Sequence, residues 1–102
     1  MKTTFREENG KYIAILEGRL DTVASEQTAK DLAPLSDCTG HDIIIDCTDL
    51  EYISSSGLRI LLNIRKNAAA VGSKVTIKNL NEEIQKVFLM TGFSNLFDIQ
   101  NQ

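Results

Sequence analysis

The feature that most constrains this chain is the run Ile43-Ile44-Ile45, set between Asp42 and Asp46 and continued by Cys47. In a strand, successive side chains point to opposite faces. Ile43, Ile45 and Cys47 therefore share one face, and Ile44 takes the other. A strand apolar on both faces is a central strand with cover on both sides, or at least a well-buried one. The rest of the chain must supply the neighbouring strands and the covering helices.

The flanking segments read accordingly. Residues 5–7 form a short strand, and Asn9-Gly10 is a hairpin turn signal. A second strand covers residues 12–16 and ends at Gly18. Residues 22–35 read as a helix capped by Asp21 or Thr22. Its buried stripe is Val23, Ala24, Thr28, Leu32 and Leu35, with Pro34 at the fraying end. After a loop at residues 37–41 comes the central strand, residues 42–47. The pattern turns helical beyond Gly57: Leu58, Leu61, Leu62, Arg65 and Ala69 trace one face, with Ile60, Ile64 and Ala68 beside it. This helix ends near Val71-Gly72. Residues 74–78 alternate polar and apolar, as in a strand buried on one face. Asn79 or Asn81 caps a last helix over residues 82–90, whose first-turn Glu82 and Glu83 complement the helix dipole. Gly92 ends it, and residues 93–99 return as a short strand.

The order is β-β-α-β-α-β-α-β. Strand, crossover helix and strand recur, which predicts an α/β fold with a mostly parallel or mixed sheet of four to five strands. In 102 residues the helices lie mainly on one face, and the other face stays partly exposed. That length predicts one domain spanning residues 1–102, since a TIM barrel needs about 250 residues.

Charge and residue counts remove several function classes. Lys and Arg total 11 against 14 acids, for a net charge of −3, and no basic run exists. Nucleic acid is therefore not an expected partner. A spanning helix needs about 20 apolar residues, and none is present, so no membrane role is expected. The first residues lack the apolar core of a secretory leader. Cys38 and Cys47 read as reduced thiols of a cytoplasmic protein. The single histidine, His41, leaves no His/Cys cluster for a metal, and no cofactor is expected.

The informative segment is Ser54-Ser55-Ser56-Gly57-Leu58, where a strand passes into a helix. Helix capping explains one serine, because a serine oxygen accepts from the orphan amides of the first turn. It does not explain three, nor a glycine that costs about 1 kcal/mol inside a helix. A phosphate loop is excluded by the absence of G-x-x-x-x-G-K-[ST] and G-x-G-x-x-G. A hydrolase nucleophile requires G-x-S-x-G with a histidine and an acid, and no argument from the sequence places a base near these serines. The protein is not expected to be an enzyme. A phosphorylation site fits, because a helix N-terminus holds about −1.5 to −2 charges without melting. Gly57 is expected to let another protein approach closely.

The stretch Asp46-Cys47-Thr48-Asp49-Leu50-Glu51-Tyr52-Ile53-Ser54-Ser55-Ser56-Gly57-Leu58 resembles the STAS signature of bacterial anti-sigma-factor antagonists, D-[LF]-S-x-[VL]-x-[FY]-[IM]-D-S-S-G-[LI]. Gly18-Arg19-Leu20-Asp21 resembles the family's G-x-[LI]-D. The ending Met90-Thr91-Gly92-Phe93-Ser94-Asn95-Leu96-Phe97 resembles the family as well.

The resemblance implies a partner switch. The unphosphorylated antagonist binds an anti-sigma factor, often a GHKL-type serine kinase, and releases when the kinase phosphorylates it. A PPM-type serine phosphatase restores the binding form. The implied phosphoacceptor is Ser55. Gly18, Asp21, Thr22, Ser54, Ser56, Gly57 and Leu58 form the implied partner surface. One departure stands out: the family's Asp before the acceptor is Ser54 in this chain. Three outcomes follow from it, namely slow or absent phosphorylation with constitutive binding, phosphorylation at Ser55 as implied, or transfer to a neighbouring serine. The resemblance also admits an accessory subunit that binds the ATPase of a lipid-transport ABC system, or another signalling module without phosphorylation.

Overall fold

The computed structural model describes residues 1–100. The first strand, β1 (Lys2–Glu8), turns through Asn9 (φ 53) and Gly10 (φ 77) into β2 (Lys11–Leu20). Two successive positive φ values are the demand of a type I′ hairpin, and Asn-Gly meets it. Helix α1 (Thr22–Asp31) follows, then a short 3-10 turn (Ala33–Ser36). Next come β3 (Ile43–Ile53), α2 (Ser55–Ala70), β4 (Val75–Lys78), α3 (Glu82–Thr91), a second 3-10 turn (Phe93–Asn95) and β5 (Asp98–Gln100). The strands lie in the order β1-β2-β3-β4-β5. The β1–β2 pair is antiparallel, and the other three pairs are parallel.

One face of this sheet carries the core. Ala14 and Leu16 of β2, Ile43, Ile45 and Cys47 of β3, and Val75 and Ile77 of β4 pack with Leu58, Leu61, Ile64 and Ala68 of α2 and with Ile84 and Phe88 of α3. On the opposite face Ile13, Ile15, Ile44 and Thr76 are half-buried. The two-sided character of the isoleucine run is thus met by partial cover on one side. Cys47 is a free thiol inside this core, and its pKa is pushed up to about 12, first by burial and then by the nearby Asp46 charge. It stays protonated at neutral pH. Cys38 is free and buried as well.

Several local expectations need correction. Strand β2 does not stop at Gly18. It continues to Leu20, and Gly18 sits in it with φ +101 at a shift of register against β3. The glycine marks a bulge rather than an end. Helix α1 stops at Asp31, because Pro34 cannot continue it and the chain tightens into a 3-10 turn. Val23 is not part of the buried stripe: it is 87% exposed, and Ser25 faces inward instead, beside the expected Thr28, Leu32 and Leu35. In α2 the buried face runs through Leu58, Leu61, Ile64 and Ala68, not Leu62 and Ala69. Residues 93–99 are not one strand, since a 3-10 turn precedes the three residues of β5.

Candidate functional site

The site forms where β2 and β3 end side by side. Leu20 and Ile53 are register partners, and the Ser54 amide donates to the Leu20 carbonyl at 2.8 Å. This bond brings the residues after β2 against the serine turn after β3. In open parallel sheets the region beyond the carboxyl ends of the strands is where ligands and partners are met. Helices α1 and α2 both begin there.

Each helix start is built by its own cap. The Asp21 carboxylate accepts from the Ala24 amide at 2.8 Å, so Asp21, not Thr22, is the cap of α1. The Ser54 hydroxyl accepts from the Gly57 amide at 3.1 Å, and its carbonyl accepts from Leu58 at 2.9 Å. Ser54 therefore spends its hydroxyl on capping and is buried. It does the local work that an aspartate does at this position, without the charge. Neither α1 nor α2 has an acid in its first turn, and the α2 cap is neutral as well. Helix α2 is thus the one helix of the three that begins with no carboxylate in its cap or first turn.

The remaining implied residues fall into two groups. Ser55 is exposed at the first position of α2, Ser56 is half-buried, Thr22 is exposed, and Gly18 and Asp21 are half-buried. These can meet a partner. Gly57 and Leu58 face the core. A Cβ on Gly57 would stand 2.8 Å from both Ile53 Cγ1 and Leu20 Cγ. The glycine is thus required by helix-to-sheet packing inside the protein, and the expectation that it clears space for another protein is replaced by that use. Leu58, 9% exposed, belongs to the core beside it.

Three further residues stand beside this surface, although nothing in the sequence marks them as part of it. The Arg19 guanidinium lies 4.5 Å from the centroid of the Tyr52 ring, and Tyr52 is 41% exposed. Val23 is the exposed apolar residue beside Thr22. Arg19 and Tyr52 are register partners across β2 and β3. That pairing follows from the bulge at Gly18, a glycine that reads in the sequence as a strand end as readily as a bulge. The Asn81 side chain ties the start of α3 to the same end of the sheet. Its oxygen caps Ile84 at 2.8 Å, and its nitrogen donates to the carbonyls of Leu50 and Glu51 at 3.2 and 3.3 Å.

The histidine that a serine nucleophile would need lies away from Ser55. The single histidine, His41, stacks on Tyr12 with ring centroids 4.3 Å apart and bonds the Gly10 carbonyl at 2.7 Å. It precedes β3, whereas Ser55 follows it, and at about 3.3 Å per residue the strand separates them by roughly 30 Å. Among the described residues no group of three or more His, Cys, Asp or Glu could hold a metal. No helix among them is long and apolar enough to cross a membrane.

The sequence is 32% identical over 101 residues to BtrV of Bordetella bronchiseptica, described as a candidate anti-sigma factor antagonist; the match covers 99% of this chain and 87% of the relative. It is 27% identical over 84 residues to the anti-sigma-B factor antagonist of Bacillus subtilis, covering 82% and 76%. The fold is similar to that of the Bacillus cell-fate determinant SpoIIAA in its phosphorylated form, with TM-score 0.77, 20% identity and 99% and 91% coverage. A Thermotoga maritima protein, also described as a candidate antagonist, superposes with TM-score 0.88 at 18% identity, covering 98% and 86%. The family model described as the STAS domain matches residues 3–102. With that match running from the first strand to the last residue, the protein belongs to the STAS domain family.

Proposed function

We propose that this protein is an anti-sigma factor antagonist whose binding is switched by phosphorylation of Ser55. The observation that carries the reading is the exposed Ser55 hydroxyl at the start of the one helix without a carboxylate in its cap or first turn. Of the first four amides of α2, those of Gly57 and Leu58 are taken by Ser54. Those of Ser55 and Ser56 have no acceptor among the described residues. A phosphate on Ser55 has these free donors and the positive end of the helix dipole beside it. It adds charge without displacing the cap, because Ser54, not Ser55, does the capping. The names of the relatives support antagonism of an anti-sigma factor, and the SpoIIAA neighbour was solved phosphorylated.

The partner in this reading is an anti-sigma factor of the GHKL serine-kinase class, and a PPM-type phosphatase reverses the modification. The unmodified face around Ser55, Ser56, Asp21, Thr22 and Gly18 meets the kinase. Phosphate then places about −1.5 to −2 charges in the contact. Switch couplings of about 1 to 3 kcal/mol correspond to weakening of about 5- to 150-fold. The role is binding, not catalysis.

The test uses ATP and the kinase with intact-mass measurement and a binding titration. The wild-type chain gains one phosphate. Ser55→Ala gains none and still binds, and Ser55→Asp binds at least about fivefold more weakly. An unchanged phosphate yield in Ser55→Ala overturns the assignment of the residue. Equal affinity of all three proteins overturns the switch.

A further inference from the structure

We infer that a notch between the end of β3 and α3 is a docking point for a lysine or arginine side chain of the protein partner that meets the Ser55 end. The inference rests on the partner-binding reading above. The notch, of about 140 Å³, is lined by Glu51, Tyr52, Ile53, Glu83, Ile84 and Val87. Small-molecule pockets usually span about 300 to 1,000 Å³, so this one suits a single long side chain better than a free ligand.

Its chemistry is two-layered. Tyr52, Ile53, Ile84 and Val87 give an apolar floor, and Glu51 and Glu83 are exposed at its rim. Neither glutamate is in an ion pair among the described residues, where the ion pair present is Arg6–Glu8. Arg19 is engaged with the Tyr52 ring, and Lys86, one turn on from Glu83 in α3, makes no ion pair with it. Lysine and arginine match both layers, because an aliphatic stem covers apolar surface while the charged head stays at the rim.

The notch is also held in shape. Asn81 caps α3 and at the same time bonds the carbonyls of Leu50 and Glu51, so the two walls are fastened to each other. A rigid receptor side loses less freedom on binding. The position gives the contact its meaning, since the notch reaches Ile53, two residues before Ser55. One partner surface can therefore cover both. The serine turn gains negative charge on phosphorylation, whereas the notch is negative in both states. It selects the partner, and Ser55 times its release.

The experiment is a nitrogen-15 NMR titration of the full chain with a five-residue peptide alternating leucine and arginine, alongside the same peptide carrying citrulline instead of arginine. The expected result is saturating shifts confined to the amides of residues 51–53 and 83–87. These shifts are lost with the citrulline peptide and in the double variant Glu51→Lys/Glu83→Lys, and they persist in Ser55→Asp. Absent shifts, shifts spread over the acidic surface, or equal shifts from the citrulline peptide overturn the proposal. A dispersed spectrum of the double variant, with its unperturbed amides unmoved, separates lost binding from lost folding. No kinase is present, so failure here leaves the phosphorylation reading untouched, and failure of the mass experiment leaves this one standing.

Discussion

Helices α2 and α3 begin at the same end of the sheet, after the parallel neighbours β3 and β4, yet their starts are finished differently. Helix α3 is closed by its own residues. Asn81 caps it and binds back to β3, and Glu82 and Glu83 occupy its first turn. Helix α2 has a neutral buried cap, an exposed serine at its first position and no acid in its first turn. Carboxylates at a helix start are worth about 0.3 to 1 kcal/mol each. One start already has that stabilisation built in. The other leaves it available to a charge added later. The lesson is that two neighbouring helices of one sheet can differ in whether a carboxylate already answers the dipole at their start.

The largest expected effect tests whether α3 is the closed start. Asn81→Ala removes a cap worth about 1 kcal/mol and the bonds to two β3 carbonyls, worth together about another 1 kcal/mol. Urea denaturation should show a loss of about 2 kcal/mol. A loss below about 0.5 kcal/mol would break the comparison, because α3 would then not depend on its tie to β3.

Next in size is the packing beneath α2. Gly57→Ala puts a Cβ 2.8 Å from Ile53 Cγ1 and Leu20 Cγ. Overpacking costs about 1 to 3 kcal/mol, and better helix propensity returns about 1 kcal/mol. A net destabilisation of up to about 2 kcal/mol is expected by thermal or chemical denaturation. A stabilised variant would mean that the start of α2 is loose, and that its glycine serves something other than contact with the sheet.

The smallest effect is the sharpest test of the contrast. Ser55→Asp places a carboxylate at the open start and should raise stability by about 0.3 to 1 kcal/mol at low ionic strength. In a Ser54→Asp background the same change should give less, because the neighbouring carboxylate already uses the dipole and repels the second. Midpoints from denaturation of the four proteins of this double-mutant cycle measure the coupling. Additivity would show that the neutral cap has no electrostatic consequence for Ser55.

Much of this arrangement is legible along the chain. Asn9-Gly10 announces the first hairpin, Gly92 the end of α3, and Ser54-Ser55-Ser56 the passage from strand to helix. The departure at Ser54 from the family's aspartate was also plain in the sequence. Its meaning was not, because only the bond from the Gly57 amide shows which of three serines is the cap. The expected surface role of Gly57 was the reverse of what the packing requires, since a missing side chain looks the same in sequence whether it clears space outward or inward. The spacing and apolar side chain of Val23 point to the buried stripe, but α1 turns Ser25 inward in its place, beside the expected Thr28.

The sequence by itself determined the element order, the identity of the central strand, the helix caps to within a residue or two, and the serine turn as the place of interest. These depend on interactions within about four residues, on the alternation of strands and on the helical period, all of which are written in neighbouring letters. The tertiary structure alone decided how far β2 and β3 run, that Arg19 lies over Tyr52, that Gly57 seats α2 on Leu20 and Ile53, and that Glu51 and Glu83 rim one notch. Each of these depends on which segment lies across from which. That choice is made by pairing and burial between residues distant in the chain, so no local pattern carries it.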